Sequence, residues 1–343
     1  MPRPRFALFG AGFWSAYQLA AWREIDGADC VAIYNRTRAR AAQRAWEFGI
    51  PAIYDDPDEL LRREQLDFVD IVTDVDSHAS FARLAANHGL SAICQKPLAP
   101  DLETAEDMLA AHERAGTRLL VHENWRWQRP LRELEAELRA GVIGTVFRAR
   151  IEMVSGFPVF ANQPFLKQLE QFILTDLGTH ILDVVRFLFG EARHLYCQTR
   201  RIHDDIRGED VPTVVLTLHD ATTVICELAY AGTPLERERF PETFVFVEGS
   251  QGSLELGPDY WLRRTTTAGT FARRVPPPHF PWADAAYDVV HASIVPCARN
   301  LLEDLRGGPP AETTARDNLR TLRLVFAAYE SAATNRVIAP APD

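Results

Sequence analysis

The chain has 343 residues, 47% of them hydrophobic and 24% charged, ordinary values for a globular protein whose length suggests two domains. The formal net charge of −10 argues against a nucleic-acid partner, whose binding surface would be basic. Five scattered cysteines without a C-x-x-C pair fit a reducing compartment better than a disulfide framework. No stretch approaches the roughly 20 apolar residues of a membrane span. The apolar run over 6–14 holds two glycines and no cleavage pattern follows it, so a cytoplasmic address and no membrane partner are expected.

Along the first 120 residues, short apolar runs alternate with helical patterns. Residues 6–9 read as a buried strand, followed by a helix to about Arg23. Further strands are expected over 31–34 and 68–72, with helices over 39–48 and 78–88. Another strand over 90–95 runs into Lys96-Pro97. A helix follows over 101–115, with Asp101 as N-cap and Gly116 as its stop, and a strand over 118–121. This alternation predicts an α/β fold, a doubly wound parallel Rossmann sheet over 1–124. After Pro130 the rhythm changes. Helices over 131–140 and 176–189 flank a long strand over 146–154. Extended runs follow over 195–200, 213–219, 223–230, 242–248 and 252–256, separated by short turns. They predict a mostly antiparallel open sheet in an α+β domain over 125–343, closed by a helix over about 314–334.

Gly10-Ala11-Gly12-Phe13-Trp14-Ser15 follows the first strand and opens a helix. Its glycines permit a tight turn and close approach to a pyrophosphate, whose charge suits the helix N-terminus. Gly10, Gly12, Phe13 and Trp14 are therefore candidate cofactor contacts, with Ser15 in place of the third glycine. The end of the second strand, Tyr34-Asn35-Arg36-Thr37-Arg38, lacks the acid that holds an NAD ribose. Asn35 and Thr37 offer hydrogen bonds, and Arg36, Arg38 or Arg40 offers charge for a 2′-phosphate. NADP is favoured over NAD, though these arginines would serve equally to solvate a helix start. Thr73 and His78 leave the next central strand. His78 would meet the ribose or cap the helix, and capping by Asp76 or Ser77 is the plainer reading.

Lys96 ends a strand, and ligands in such sheets bind outside the carboxyl ends of strands; most lysines, however, are only solvated charges. Asp176 and His180 are four residues apart, and Asp183 continues their helix face. Leu177, Ile181, Val184, Val185 and Leu188 read as core. The histidine suits general acid/base work, core packing or half of a metal site, and spacing alone does not choose. No H-x-x-x-H or Cys/His cluster points to a metal, so none is expected. Asn124 and Arg126 follow the last Rossmann strand, at an expected crevice between domains, where Trp125 and Trp127 suit interdomain packing. Residues 157–167 include Phe157, Phe160, Asn162, Gln163, Phe165 and Lys167, a composition that suits sugar binding. Arg126 or Lys167 would hold the carboxylate of a sugar acid.

The Gly-rich turn, Lys96-Pro97 and Asp176-x-x-x-His180 together resemble the Gfo/Idh/MocA family of NAD(P)-dependent oxidoreductases, from Arg5 to about Val337. The resemblance implies hydride transfer between nicotinamide and a secondary alcohol or ketone of a sugar, polyol or sugar acid. Lys96-Pro97 looks like the family's Glu-Lys-Pro motif. Carried over, Lys96 and His180 touch the substrate hydroxyl and handle its proton, while Asp176 orients the histidine or binds a second hydroxyl. Gln95 replaces the motif glutamate, so a charge favouring protonated lysine is absent, yet it still offers a hydrogen bond to a cofactor ribose. Asp74 stands where the family often has proline. Two alternatives remain open at this stage: a tightly bound cofactor cycling through oxidation–elimination or isomerisation, and a non-catalytic NADP-binding regulator. The open second sheet leads us to expect a homodimer or homotetramer.

Overall fold

The computed structural model describes residues 3–156, 159–231 and 239–341. They gather into two units. The first comprises Met1–Asn124, Phe280–Ala283 and Ile294–Arg320; the second comprises Trp125–His279, Asp284–Ser293 and Thr321–Asp343.

In the first unit, strands β1 (Arg5–Phe9), β2 (Asp29–Tyr34), β3 (Ala52–Tyr54), β4 (Phe68–Ile71), β5 (Ser91–Gln95) and β6 (Leu119–His122) form one sheet in the order β3-β2-β1-β4-β5-β6. Every neighbouring pair is parallel. Helices α1 (Phe13–Ile25), α2 (Arg38–Phe48), α3 (Pro57–Arg63), α4 (Val75–Asn87) and α5 (Leu102–Ala115) connect the strands. Central strands such as β4 are buried throughout, as expected where helices cover both faces of a sheet. Asp101 caps α5 by accepting from the Thr104 N–H at 2.7 Å, and Gly116 ends that helix at φ +68°. The strand order reverses between β1 and β4. That point is where a doubly wound sheet opens a ligand crevice at its carboxyl ends.

The second unit opens with α6 (Arg129–Arg139), β7 (Val146–Ser155), α7 (Val159–Asn162) and α8 (Thr179–Phe189). Strands β8 (Ala192–Arg200), β9 (Val211–Leu218), β10 (Thr223–Tyr230), β11 (Phe244–Gly249), β12 (Gly252–Gly257), β13 (Trp261–Thr266) and β14 (Gly269–Arg274) join β7 in a sheet of order β14-β13-β12-β11-β7-β10-β9-β8. Only β7 and β10 pair in parallel. Along β7, Ala149, Ile151 and Met153 are buried while Arg148 and Arg150 are exposed. Arg148 pairs with Glu248 and Arg150 with Glu227, so the open face is laced by cross-strand ion pairs.

Helices α9 (Asp288–Leu305) and α10 (Ala315–Thr334) each contribute to both units. Here the structure differs from the sequence-based division, which placed everything after Asn124 in one domain. The Val121 N–H donates to the Thr313 carbonyl at 2.8 Å, so a C-terminal segment satisfies backbone groups of β6. Among the described residues no helix is long and apolar enough to cross a membrane.

Candidate active site

Between β1 and α1 the chain has three residues in which to turn. Gly10 adopts φ +110° and donates to the Tyr34 carbonyl at 2.8 Å; a Cβ there would stand 2.2 Å from the Val72 oxygen, so only glycine fits. Gly12 is the N-cap of α1, with no side-chain cap and no acid in the first turn. Apart from its chain neighbours and the backbone of its own helix, no heavy atom of the described residues lies within 4 Å of the position its Cβ would take. Uncapped N–H groups, the positive end of a 13-residue helix and open space beside the backbone suit the pyrophosphate of a dinucleotide. Ser15 is fully buried; its hydroxyl donates to the Gly12 carbonyl at 2.6 Å and accepts from Arg44 Nε at 3.1 Å. Phe13 is exposed, and Trp14 packs against Ala21, Ile294 and Val295.

Asn35 is part of the turn itself. Its Oδ1 accepts from the Ala11 N–H at 3.2 Å and its Nδ2 donates to the Thr37 carbonyl at 3.0 Å. The amide thus clamps the Gly-rich turn to the end of β2. Arg36 and Thr37 are exposed beside it, and Arg38 lies 3.6 Å from Asp55.

His78 also bridges two segments. The ring is buried in α4, with Nδ1 at 3.1 Å from the Pro97 carbonyl and Nε2 at 3.1 Å from the Thr73 carbonyl. Burial lowers its proton affinity, against the pull of those carbonyls. Both nitrogens face backbone oxygens, and the neutral ring donates its one N–H to one of them, so it sits between the Thr73 loop and the Lys96-Pro97 turn. Helix α4 starts at Val75 with Asp74 as a side-chain-free cap, while the Ser77 hydroxyl donates to Thr73 Oγ1 at 2.8 Å. Lys96 is half-buried at the end of β5, and its bond to Pro97 is cis.

Behind Lys96 runs a chain of buried polar groups that sequence reading missed. Gln95 Nε2 donates to Gln18 Oε1 at 3.2 Å, and Gln18 Nε2 donates to Asp70 Oδ2 at 3.0 Å. Trp22 Nε1 donates to the same oxygen at 2.7 Å. Burial raises Asp70 to about 6, with these two hydrogen bonds opposing it. The available signal was an aspartate inside the apolar run Phe68-Val69-Asp70-Ile71.

In the second unit, residues Leu174–Gly178 form a π-helical turn that leads into α8. The regular helix expected from Asp176 onward therefore begins at Thr179, and the Asp176–His180 spacing spans the wide turn. Such turns interrupt helices frequently at functional sites. Asp176 is half-buried. Burial pushes the Tyr230 hydroxyl well above the usual range, and the nearby charge of Asp176 adds to the effect. His180 is buried and stacks on Trp125, ring centroids 4.3 Å apart at 23°. Trp125 Nε1 donates to Thr243 Oγ1 at 3.0 Å, which fixes the indole as a platform.

Three further groups in this unit escaped the sequence. His291 is buried, stacks on Tyr287 at 5.7 Å, and accepts from the Asp284 N–H at 3.1 Å through Nδ1. Burial drops it to about 4, so at neutral pH the ring is uncharged with its proton on Nε2. Tyr230 and Tyr287 are the others in this cluster that no motif flagged.

Arg126 does not wait for a substrate carboxylate. Its Nε and Nη2 grip Asp183 at 2.7 and 2.5 Å, Asp183 is fully buried, and Thr321 Oγ1 donates to Asp183 at 3.1 Å. The fork is filled by a protein carboxylate, and Asp183 holds α8 in place rather than extending a catalytic face. Lys167 is likewise paired with Asp205, and Phe160 packs on Phe172 and His203. Phe157 lies outside the described residues. Asn124 is buried at the end of the first unit.

Comparison with known proteins agrees with this fold. Residues 4–123 match the oxidoreductase family with an NAD-binding Rossmann fold, and residues 131–255 match the GFO/IDH/MocA C-terminal domain. The chain belongs to the Gfo/Idh/MocA oxidoreductase family. It is an NAD(P)-dependent oxidoreductase with a Rossmann domain and a second, mostly antiparallel sheet. Among its relatives is a D-apiose dehydrogenase of Paraburkholderia graminis, 45% identical over 97% of this chain and 88% of that protein. A D-apiose dehydrogenase of Rhizobium rhizogenes is 39% identical over 97% and 96%. A solved oxidoreductase from Agrobacterium radiobacter, in complex with NAD+, L-tartaric acid and magnesium, superposes with a TM-score of 0.96 at 38% identity and covers 98% of both chains.

Proposed function

We propose that this chain oxidises an aldopentose, with D-apiose the first candidate, and passes the hydride to NAD(P)+. The supporting observation is the 45% identity to a D-apiose dehydrogenase across 97% of the chain. Bound beside the Gly10–Gly12 turn, the cofactor supplies the hydride acceptor. In this reading the α1 N-terminus holds the pyrophosphate, and Gln95 offers its amide to a ribose. Lys96 holds the sugar hydroxyl and takes its proton, with His180, backed by Trp125, as the second proton-handling group. Asp176 and Tyr230 bind further hydroxyls. Removing that proton as hydride leaves yields a carbonyl product. Exposed Arg36, with no acid at the end of β2, favours NADP over NAD, and Arg36→Ala is expected to narrow the preference.

The test is direct. Purified protein with NAD+ or NADP+ is offered D-apiose, other aldopentoses and sugar acids, and reduced nicotinamide is followed by absorbance. Turnover of D-apiose at least tenfold above the remaining panel supports the proposal. Turnover confined to sugar acids, or absent throughout, contradicts it. The same reading includes self-association through the open sheet, and a monomer in sedimentation at micromolar concentration would contradict that part.

A further inference from the structure

We propose that Gln18 and Asp70 are positioning residues that dictate which way the Gln95 amide faces, and so make glutamine the residue that fits before Lys96. Asp70 sits in the middle of β4 and Gln18 on the inner side of α1, both fully buried. An ionised carboxylate only accepts hydrogen bonds. Gln18 must therefore present its NH2 group to Asp70, which turns its carbonyl toward Gln95. Gln95 in turn must present its own NH2 group, as the 3.2 Å contact to Gln18 Oε1 shows. One buried charge thus sets the direction of two successive amides, and the Gln95 carbonyl oxygen is what remains at the far end, one residue from Lys96.

A glutamate at 95 breaks this order. Its carboxylate would face the Gln18 carbonyl, acceptor against acceptor; if Gln18 turned over, its carbonyl would face Asp70 instead. Asp70→Asn lessens the conflict. The asparagine oxygen, in the place of Oδ2, still accepts from Trp22 but carries no charge, so turning Gln18 toward a carboxylate at 95 no longer sets its carbonyl against a buried anion. The departure from the family's glutamate and the aspartate in β4 are in this view one feature with two ends. Burial, with the charge of Asp70 adding to it, raises the Cys30 and Cys94 thiols, so they remain uncharged near neutrality and leave Asp70 as the charge that sets the order.

The experiment compares wild type, Asp70→Asn, Gln95→Glu and the double variant at pH 8, by thermal unfolding without ligand and by steady-state kinetics. Gln95→Glu is expected to lower Tm by about 3–8 °C, and adding Asp70→Asn should recover at least half of that loss. kcat/KM should fall about tenfold or more in Gln95→Glu, chiefly through kcat, and return to within about threefold of wild type in the double variant. A Gln95→Glu protein as stable as wild type overturns the proposal. So does a double variant whose losses equal the sum of the singles, or one that fails to fold while Asp70→Asn folds. The kinetic arm rests on the function proposed above; coupled Tm values without sugar oxidation would leave the coupling standing and remove that function alone.

Discussion

Asp183→Asn measures the internal role assigned to Arg126. The wild-type pair is bidentate and buried, with side-chain exposures of 7% and 0%. Removing the charge leaves the Arg126 guanidinium without its anion, and Arg186, 3.8 Å from the same carboxylate, loses it too. Breaking a buried pair by deleting one partner costs about 3–5 kcal/mol. For a unit of roughly 200 residues each kcal/mol is worth about 2–4 °C, so Tm should fall by about 6–20 °C. Arg126→Lys keeps a charge but cannot fork onto both oxygens, and should lose a smaller part of the same stability. Thermal unfolding is run beside KM for the preferred sugar and for the corresponding sugar acid. Internal pairing predicts that both variants shift Tm and leave the ratio of the two KM values unchanged. A Tm within about 2 °C of wild type together with a KM for the acid raised tenfold or more would refute it and return Arg126 to substrate binding.

Two further predictions concern the first unit. Asp70 is raised by burial from its ordinary 3.8 to about 6, so between those pH values the folded protein holds a proton that the unfolded chain releases. Stability contributed by this group is therefore full below pH 4 and falls as pH rises toward 6, by about 3 kcal/mol at most. Urea titrations should show Asp70→Asn gaining on wild type between pH 4 and pH 8; a constant difference would contradict the assignment. Gly12→Val places a branched side chain where no atom of the described residues, apart from its chain neighbours and own helix, stands within 4 Å. The variant should unfold within about 3 °C of wild type, since the N-cap change costs about 1 kcal/mol, yet lose the Tm rise that NADP or NAD confers. Retention of that rise would mean the pyrophosphate lies elsewhere.

The elements legible in the sequence were those whose local pattern decides them alone. Phe6 to Phe9 form a continuous apolar strand next to a glycine turn, and Asp101 and Gly116 mark helix ends by their own chemistry. Strand β3 has three residues, too few for a period to show. Strands β13 and β14 carry arginines and threonines at the sheet edge, so no apolar alternation marks them. Pro296 lies inside α9, where a proline ordinarily signals a helix end, and the same helix carries the unflagged His291. Among site residues, the sequence displays donors and acceptors but not who takes them. Asn35, His78 and Arg126 each have the right chemistry for a ligand, and each is engaged within the protein, by Ala11, by the Thr73 and Pro97 carbonyls, and by Asp183. Gln18 and Trp22 sit one turn apart on α1, 52 and 48 residues from Asp70, and meet it only when α1 packs on β4.

The most direct test of the account is single-turnover hydride transfer by Lys96→Ala with D-apiose and saturating NADP+ or NAD+, cofactor affinity being measured on the same protein. The account predicts unchanged folding, cofactor affinity within about threefold of wild type, and a transfer rate lowered about 100-fold or more. Transfer at the wild-type rate would contradict the claim that Lys96 takes the proton.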